Sequence, residues 1–373
     1  MKLISTLPFL LLCTTAALAV DAPTPVAGQS SPTVTEKLKS AAGTLVGNPN
    51  AKADRDMQRV LDAHAELGPK PIEELSAEEA RKQPSLADGL KAFLKKEGKS
   101  GDVAGVTSKD ITYPGATGPL PARIYVPEGD LKNLPVILYF HGGGFVIANI
   151  DTYDAAPRNF AKLDRALVIS ADYRLAPENK FPAAHDDAFA AYKWVIDHAK
   201  DFGGDGDRIA VMGESAGANL AINVAIAARD SGIPTPIHQV LVYPVAGTDM
   251  TTQSYKVNAK AKPLNKAMMA WFFDKIGAPA GPQPKLNLVS DAKLNGLPTA
   301  TMVTAEIDPL RTEGQQLAAK LKDAGVGVEL QDFPGATHEF FGMAAAVNDA
   351  AEAQEFVANR LSVAFAQAGP QGQ

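Results

Sequence analysis

Cysteine is almost missing from this chain: one of its 373 residues is cysteine, Cys13. That residue lies in an N-terminal stretch with the marks of a targeting segment. Lys2 supplies a positive start, Leu7 to Leu12 a short apolar run, and Ala17-Leu18-Ala19 a small-x-small cleavage signature. We expect residues 1–19 to be a signal peptide cut after Ala19, which exports the chain to periplasm or medium. The mature protein would then hold neither a disulfide nor a thiolate nucleophile. Leu12 precedes Cys13 where a lipid-anchored chain has a small residue, which argues against lipid attachment. Long apolar runs are lacking too, and the Leu7–Leu12 run falls far short of the roughly 20 residues that span a bilayer. No transmembrane segment is expected. Charge of one sign is scarce: Asp, Glu, Lys and Arg make up 21% and the formal net charge is -6. That balance gives no case for nucleic acid or an anionic membrane surface as partner. Among six histidines no two have His-x-x-x-His spacing, and no Cys/His cluster exists, so no metal is expected.

What the chain does have is an alternation of patterns. Residues 20–53, rich in Ala, Pro, Thr, Ser and Gly, read as a flexible leader. Residues 54–100 read as short helices. Met57, Val60, Leu61 and His64 share one helical face that ends at Gly68-Pro69, and Ser76 to Glu79 forms a capping box before a helix that stops at Pro84. Leu86 to Lys96 is a third helical candidate. From Val106 strands begin: 106–112 and 122–126 alternate across a Pro/Gly turn as an antiparallel pair would. Apolar runs at 136–140, 166–170, 209–212, 240–243, 299–304 and 326–333 read as further strands. Helices over 183–198, 218–229 and 312–324 fall between them. Strands alternating with helices imply right-handed crossovers and an α/β fold with a mostly parallel sheet, over about 101–368. The segment 251–284 interrupts the alternation with Met268, Met269, Trp271, Phe272 and Phe273. Such a cluster is core first, and a connection this long could also cover a site as a lid. Ala368 to Gln373 reads as a disordered tail.

The candidate chemistry centres on Gly213-Glu214-Ser215-Ala216-Gly217, between an apolar strand and a buried helix. This is the nucleophile-elbow pattern, in which glycines flank a serine held in a strained turn. A serine hydroxyl needs a base, and the base needs a carboxylate to hold its tautomer. His338 follows the last strand in Pro334–Glu339, and parallel strands deliver such loops to the edge where the elbow emerges. His64, His185, His198 and His238 lie in or beside packed elements and read as structural. The best carboxylate is Asp308, just after a strand, with Pro309 opening the next helix; Asp291 and Glu306 compete less well. Glu214 projects off the elbow in a supporting role. After the 136–140 strand comes His141-Gly142-Gly143-Gly144, whose bare amides could join that of Ala216 in binding an oxyanion. The loop lacks the Lys-Ser/Thr of a phosphate loop and the spacing of a dinucleotide motif. His141 would anchor it by hydrogen bonding.

These motifs resemble those of the hormone-sensitive-lipase-like (bacterial family IV) esterases. The residues that carry the likeness are His141–Phe145, Asp172-Tyr173-Arg174-Leu175-Ala176-Pro177-Glu178, Gly213–Gly217, Asp308-Pro309-Leu310-Arg311 and His338, in the family's order over about 100–340. The resemblance implies an α/β-hydrolase fold: an eight-stranded, mostly parallel sheet flanked by helices, with a helical cap from residues 54–100 and 251–284. It implies a cofactor-free serine carboxylesterase acting on a small-molecule ester, mainly short-chain or aryl. Ser215 would be nucleophile, His338 base, Asp308 its orienting acid, and Gly143, Gly144 and Ala216 the oxyanion donors, with Gly142 shaping the loop. Glu214, Ala218 and Glu339 depart from the commoner aspartate and two glycines. A lactonase, amidase or polyester hydrolase would share this triad; a non-catalytic ligand-binding relative would break it. Nothing in the sequence sets an oligomeric state.

Overall fold

The computed structural model describes residues 47–129 and 132–369. The expected signal peptide, most of the leader and the tail beyond 369 lie outside the described residues. Eight strands form one sheet: β1 (Val106–Pro114), β2 (Pro119–Pro127), β3 (Leu134–Phe140), β4 (Leu167–Ala171), β5 (Gly204–Glu214), β6 (His238–Val242), β7 (Thr299–Ile307) and β8 (Val328–Thr337). Their order is β1-β2-β4-β3-β5-β6-β7-β8. β1 pairs antiparallel with β2, and β2 antiparallel with β4; the remaining pairs are parallel. The helices are α1 (Arg55–Glu66), α2 (Ala77–Ala80), α3 (Leu86–Lys96), α4 (Ala155–Leu163), α5 (Ala183–His198), α6 (Ala216–Ser231), α7 (Gln253–Val257), α8 (Lys266–Ile276), α9 (Arg311–Asp323) and α10 (Asn348–Ala368).

The apolar runs are continuous because helices cover both faces of the sheet. In β3, Val136, Leu138 and Phe140 point into the core that packs under α5 and α6. Ile137 and Tyr139 point into a second core shared with α1, α3, α4 and α10. The period of two thus feeds two cores, and a one-residue slip would exchange them.

Two helices have no counterpart in the sequence reading. α4 is short, and α10 buries Ala350, Ala353, Gln354, Val357, Ala358, Leu361 and Phe365 at helical spacing. Alanines on several sides of α10 flatten its hydropathy contrast, which hides that spacing. The leader also gives way earlier than residue 53. Pro49–Lys52 form a 3-10 turn, and the Asn50 amide donates to the Lys262 carbonyl (2.9 Å) while accepting from its N–H (2.8 Å). One asparagine side chain satisfies both backbone groups of one residue, and that ties the segment down.

The two expected cap segments meet over the sheet edge. The Trp271 indole donates to the Leu75 carbonyl at 3.1 Å, and the Asn265 amide to Glu73 at 3.3 Å. Ser76/Glu79 is a capping box as read, and Ser85/Asp88 is a second one. At its other end this region docks on the catalytic core through carboxyl groups. Asp54, which precedes α1, donates its N–H to the Gly335 carbonyl at 3.1 Å, and its carboxyl shares a hydrogen bond with Asp349 at the start of α10. Such a contact needs a proton. Burial, together with the neighbouring Asp54 carboxylate, pushes Asp349 up to about 7, and burial raises Asp54 as well. A folded-state value above the unfolded one means that the native state binds more protons between about pH 4 and 7, so this contribution to stability is lost as pH rises through that window. We therefore expect Asp349→Asn to raise the melting temperature at pH 8 and to do so much less at pH 5. Equal effects at both pH values would contradict the shared proton.

Candidate active site

Ser215 stands between β5 and α6 with φ 57° and ψ -116°, a strained conformation for a side-chain-bearing residue. The flanking glycines are dictated by carbonyls that cannot move. A Cβ on Gly213 would lie 2.2 Å from the Gly217 oxygen, and one on Gly217 would lie 2.0 Å from the Phe140 oxygen. The elbow is thus wedged against the end of β3, the strand that leads into the glycine loop.

Asp308 and His338 come together through the sheet ladder. β7 and β8 run further than their apolar runs suggest, and after a register shift between Ala305 and Ile307 their last paired residues are Ile307 and Thr337. The next residue of each strand is Asp308 and His338, side by side. Pro334 and Gly335, which read as the start of a loop, lie inside β8. They fall in the unpaired stretch between Phe333 and Thr337 of this edge strand, where a missing N–H is tolerated.

The resulting contacts form a chain. His338 Nδ1 is 2.7 Å from Asp308 Oδ2, and His338 Nε2 is 3.0 Å from Ser215 Oγ. Asp308 Oδ1 accepts the Leu310 N–H at 2.8 Å, while the Asp308 carbonyl accepts from Asn258 Nδ2 at 3.0 Å. All three side chains are buried. Burial pulls His338 down, but the Asp308 carboxylate, with Glu339 and Glu214 adding to it, outweighs burial and holds the imidazole above its ordinary value. Such a chain can take a proton from a hydroxyl and hold it.

The competing residues are engaged elsewhere. Asp291 accepts from the Gln283 N–H, and Glu306 from the Gly335 N–H and Lys52. His64 pairs with the Pro84 carbonyl, His185 with Asn219, His198 with Asp201, and His238 with Thr299 and Thr301.

Gly143 (φ 96°) and Gly144 (φ 59°) adopt left-handed backbone beside Ser215. A Cβ on either would strike the Ile147 carbonyl or the Phe272 ring. Among the described residues the amides of Gly143, Gly144 and Ala216 have no backbone acceptor outside regular elements, so they are free to meet a developing oxyanion. His141 is fully buried under the loop. Its Nε2 lies 2.8 Å from Asp172 Oδ1 and its Nδ1 2.7 Å from the Gly142 carbonyl. Tyr173 stacks on its ring at 4.4 Å and donates to the His141 and Gly142 carbonyls.

Glu214 does project off the elbow. Oε1 accepts from the Tyr139 hydroxyl at 2.5 Å, and Oε2 accepts from the Tyr243 hydroxyl. Burial pushes Glu214 up to about 7 against the pull of those two donors. Glu339, the residue after the histidine, accepts from the Tyr153 hydroxyl at 3.2 Å. Tyr139, Tyr243 and Tyr153 escaped the sequence reading, although a tyrosine inside the aliphatic run Val136–Phe140 is a signal of a buried polar partner.

Above Ser215 lies a cleft of about 580 Å³. Gly143, Gly144, Ile147, Val245 and His338 form its floor, and Ile72, Met268, Met269 and Phe272 reach it from the two cap segments. The aromatic and methionine cluster of 268–273 thus serves as core and as cleft wall. Among the described residues no group of three or more His, Cys, Asp or Glu could hold a metal ion, and no helix is long and apolar enough to cross a membrane.

Residues 137–342 match the family described as alpha/beta hydrolase fold. A carboxylesterase of Mycobacterium tuberculosis is 40% identical over 253 residues, 66% of this chain and 79% of that protein. An ethyl acetate hydrolase of Pseudomonas putida is 34% identical over 317 residues, 83% of this chain and 94% of that one. A solved esterase of Pyrobaculum calidifontis aligns with a TM-score of 0.73 at 36% identity, covering 80% of this chain and 97% of that chain. With this sheet, this elbow and these relatives, the chain belongs to the hormone-sensitive-lipase-like (family IV) branch of the α/β-hydrolase family and is a carboxylic ester hydrolase.

Proposed function

We propose that the chain hydrolyses small short-chain or aryl esters through a covalent acyl-enzyme on Ser215. The observation that carries this reading is the 3.0 Å approach of His338 Nε2 to Ser215 Oγ, beside the amides of Gly143, Gly144 and Ala216. Ser215 Oγ attacks the ester carbonyl as His338 Nε2 takes its proton. Asp308 holds Nδ1–H and stabilises the imidazolium. The carbonyl oxygen, now an anion, accepts from the three amides, each worth on the order of 3 kcal/mol in the transition state. Collapse breaks the C–O bond to the alcohol, which leaves with the proton from His338. Water, deprotonated by the same histidine, then attacks the acyl-enzyme and releases the acid.

The modest cleft and its Met268, Met269 and Phe272 walls favour small apolar acyl or aryl groups. Relatives named for ethyl acetate and for carboxylic esters support the same range. Ser215→Ala should lower p-nitrophenyl butyrate turnover by roughly 10⁴-fold or more while leaving the melting temperature near that of wild type. Retained turnover in a folded variant would refute the assignment.

Export is a separate part of the proposal, supported by Lys2, the Leu7–Leu12 run and Ala17-Leu18-Ala19. The mass of the protein recovered from its host should match a chain that begins at Val20. A mature protein that still carries residues 1–19 would overturn this.

A further inference from the structure

The mechanism above makes no use of the carboxyl group one residue before Ser215. Glu214 is 1% exposed, and a buried carboxylate without a cation is expensive to keep. Among the described residues no Lys or Arg forms an ion pair with it. The two tyrosine hydroxyls call for two acceptor oxygens, which a carboxylate supplies and a neutral amide, with one acceptor and one donor, does not. Two contacts point further. Tyr243, which donates to Glu214, packs its ring on His338 with centroids 4.5 Å apart at 47°. The cation that Glu214 does sense is the imidazole of His338.

We propose that Glu214 is a positioning residue for ester hydrolysis: through Tyr243 it fixes the His338 ring, and its negative charge stabilises the imidazolium formed when His338 takes the Ser215 proton. The proposal rests on the reading of Ser215 and His338 as nucleophile and base. Proton transfer creates one positive charge on a buried ring. Asp308 neutralises it from Nδ1, and Glu214 adds a second, more distant anion in the same low-dielectric interior, where such terms are large.

The groups around Glu214 come from four segments. Tyr139 faces it from β3, Tyr243 from the segment after β6, and Tyr153 from the stretch before α4. Glu339 and His338 face it from the loop after β8. His338 in turn meets Asp308, Ser215, Tyr243 and the charges of Glu339 and Glu214. The two tyrosine donors favour the anion and burial favours the acid, which pushes Glu214 up to about 7, while the charges of Asp308, Glu339 and Glu214 raise His338.

The sign of the effect follows. Removing the Glu214 charge lowers the His338 value, which moves the acid limb of the kcat/KM profile to lower pH. It also withdraws stabilisation from the transition state, while the uncharged bound ester is unaffected. Glu214→Gln should therefore shift the acid limb down by roughly half a pH unit and lower kcat about tenfold, with KM little changed. Tyr243→Phe keeps the ring but cuts the link and removes one of the two donors to Glu214, so kcat should fall a few-fold and the acid limb should move down by less than in Glu214→Gln. If Glu214→Gln does not fold, Tyr139→Phe provides the test: loss of one donor favours the acid form of Glu214 and should move the limb in the same direction by less. An acid limb that coincides with wild type in a folded Glu214→Gln, or in Tyr139→Phe when that variant must stand in, overturns the proposal. Ser215→Ala, assayed alongside, separates the two claims. Turnover in that variant sinks the mechanism itself, whereas its silence with an unmoved limb in Glu214→Gln sinks only the role of Glu214.

Discussion

The last ladder pair of the sheet, Ile307 against Thr337, is the constraint on which the site depends. It sets the next residue of each strand, Asp308 and His338, at 2.7 Å from one another without any loop having to find the geometry. Backbone hydrogen bonds of a sheet packed on both faces are among the least mobile features of a domain, so Asp308 and His338 inherit the rigidity of the sheet. The same logic operates two strands away from β7, where Ser215 leaves the end of β5 on a turn wedged against the Phe140 carbonyl. Ser215, Asp308 and His338, from the ends of three strands, are thus aligned by one edge of one sheet.

The glycines are the second constraint, and they act through space left empty. Gly213 and Gly217 let the elbow close against backbone, and Gly143 and Gly144 let a loop take left-handed backbone under the cleft. That loop is held from below by His141, whose ring is clamped between Asp172 and Tyr173. The cap contributes differently. Its two parts, one before the sheet and one between β6 and β7, meet through Trp271 and Asn265 and supply side chains to the upper cleft. The proposed triad therefore sits on strand ends, while the helices of these two segments reach the cleft above it.

Much of this was legible in the sequence, for physical reasons. Strands buried on both faces are written as unbroken apolar runs, so β3 to β7 stood out. The elbow, the glycine loop, Asp308 and His338 each carry a local pattern that follows from strain or from position after a strand. Other features are not local. Pro334 and Gly335 look like a turn but lie within β8, in the unpaired bulge of an edge strand that spares the missing N–H. The bulge after Ala305 is invisible to periodicity, yet it sets the ladder's end. The alanines of α10 mask its buried face, and Ser85/Asp88, with aspartate where the usual capping box has Glu or Gln, is the weaker local signal. Tyr139 and Tyr243 are far apart in the chain and meet only on Glu214. Such convergence is the product of topology, which no window of residues contains.

The central claim is that Ser215 is activated by His338 for covalent acyl transfer. Its most direct test is peptide mapping by mass spectrometry after reaction with a fluorophosphonate probe. The account predicts a single stoichiometric adduct on Ser215, slowed by several orders of magnitude in His338→Ala. An adduct on another residue, or labelling of Ser215 at the same rate without His338, would contradict it.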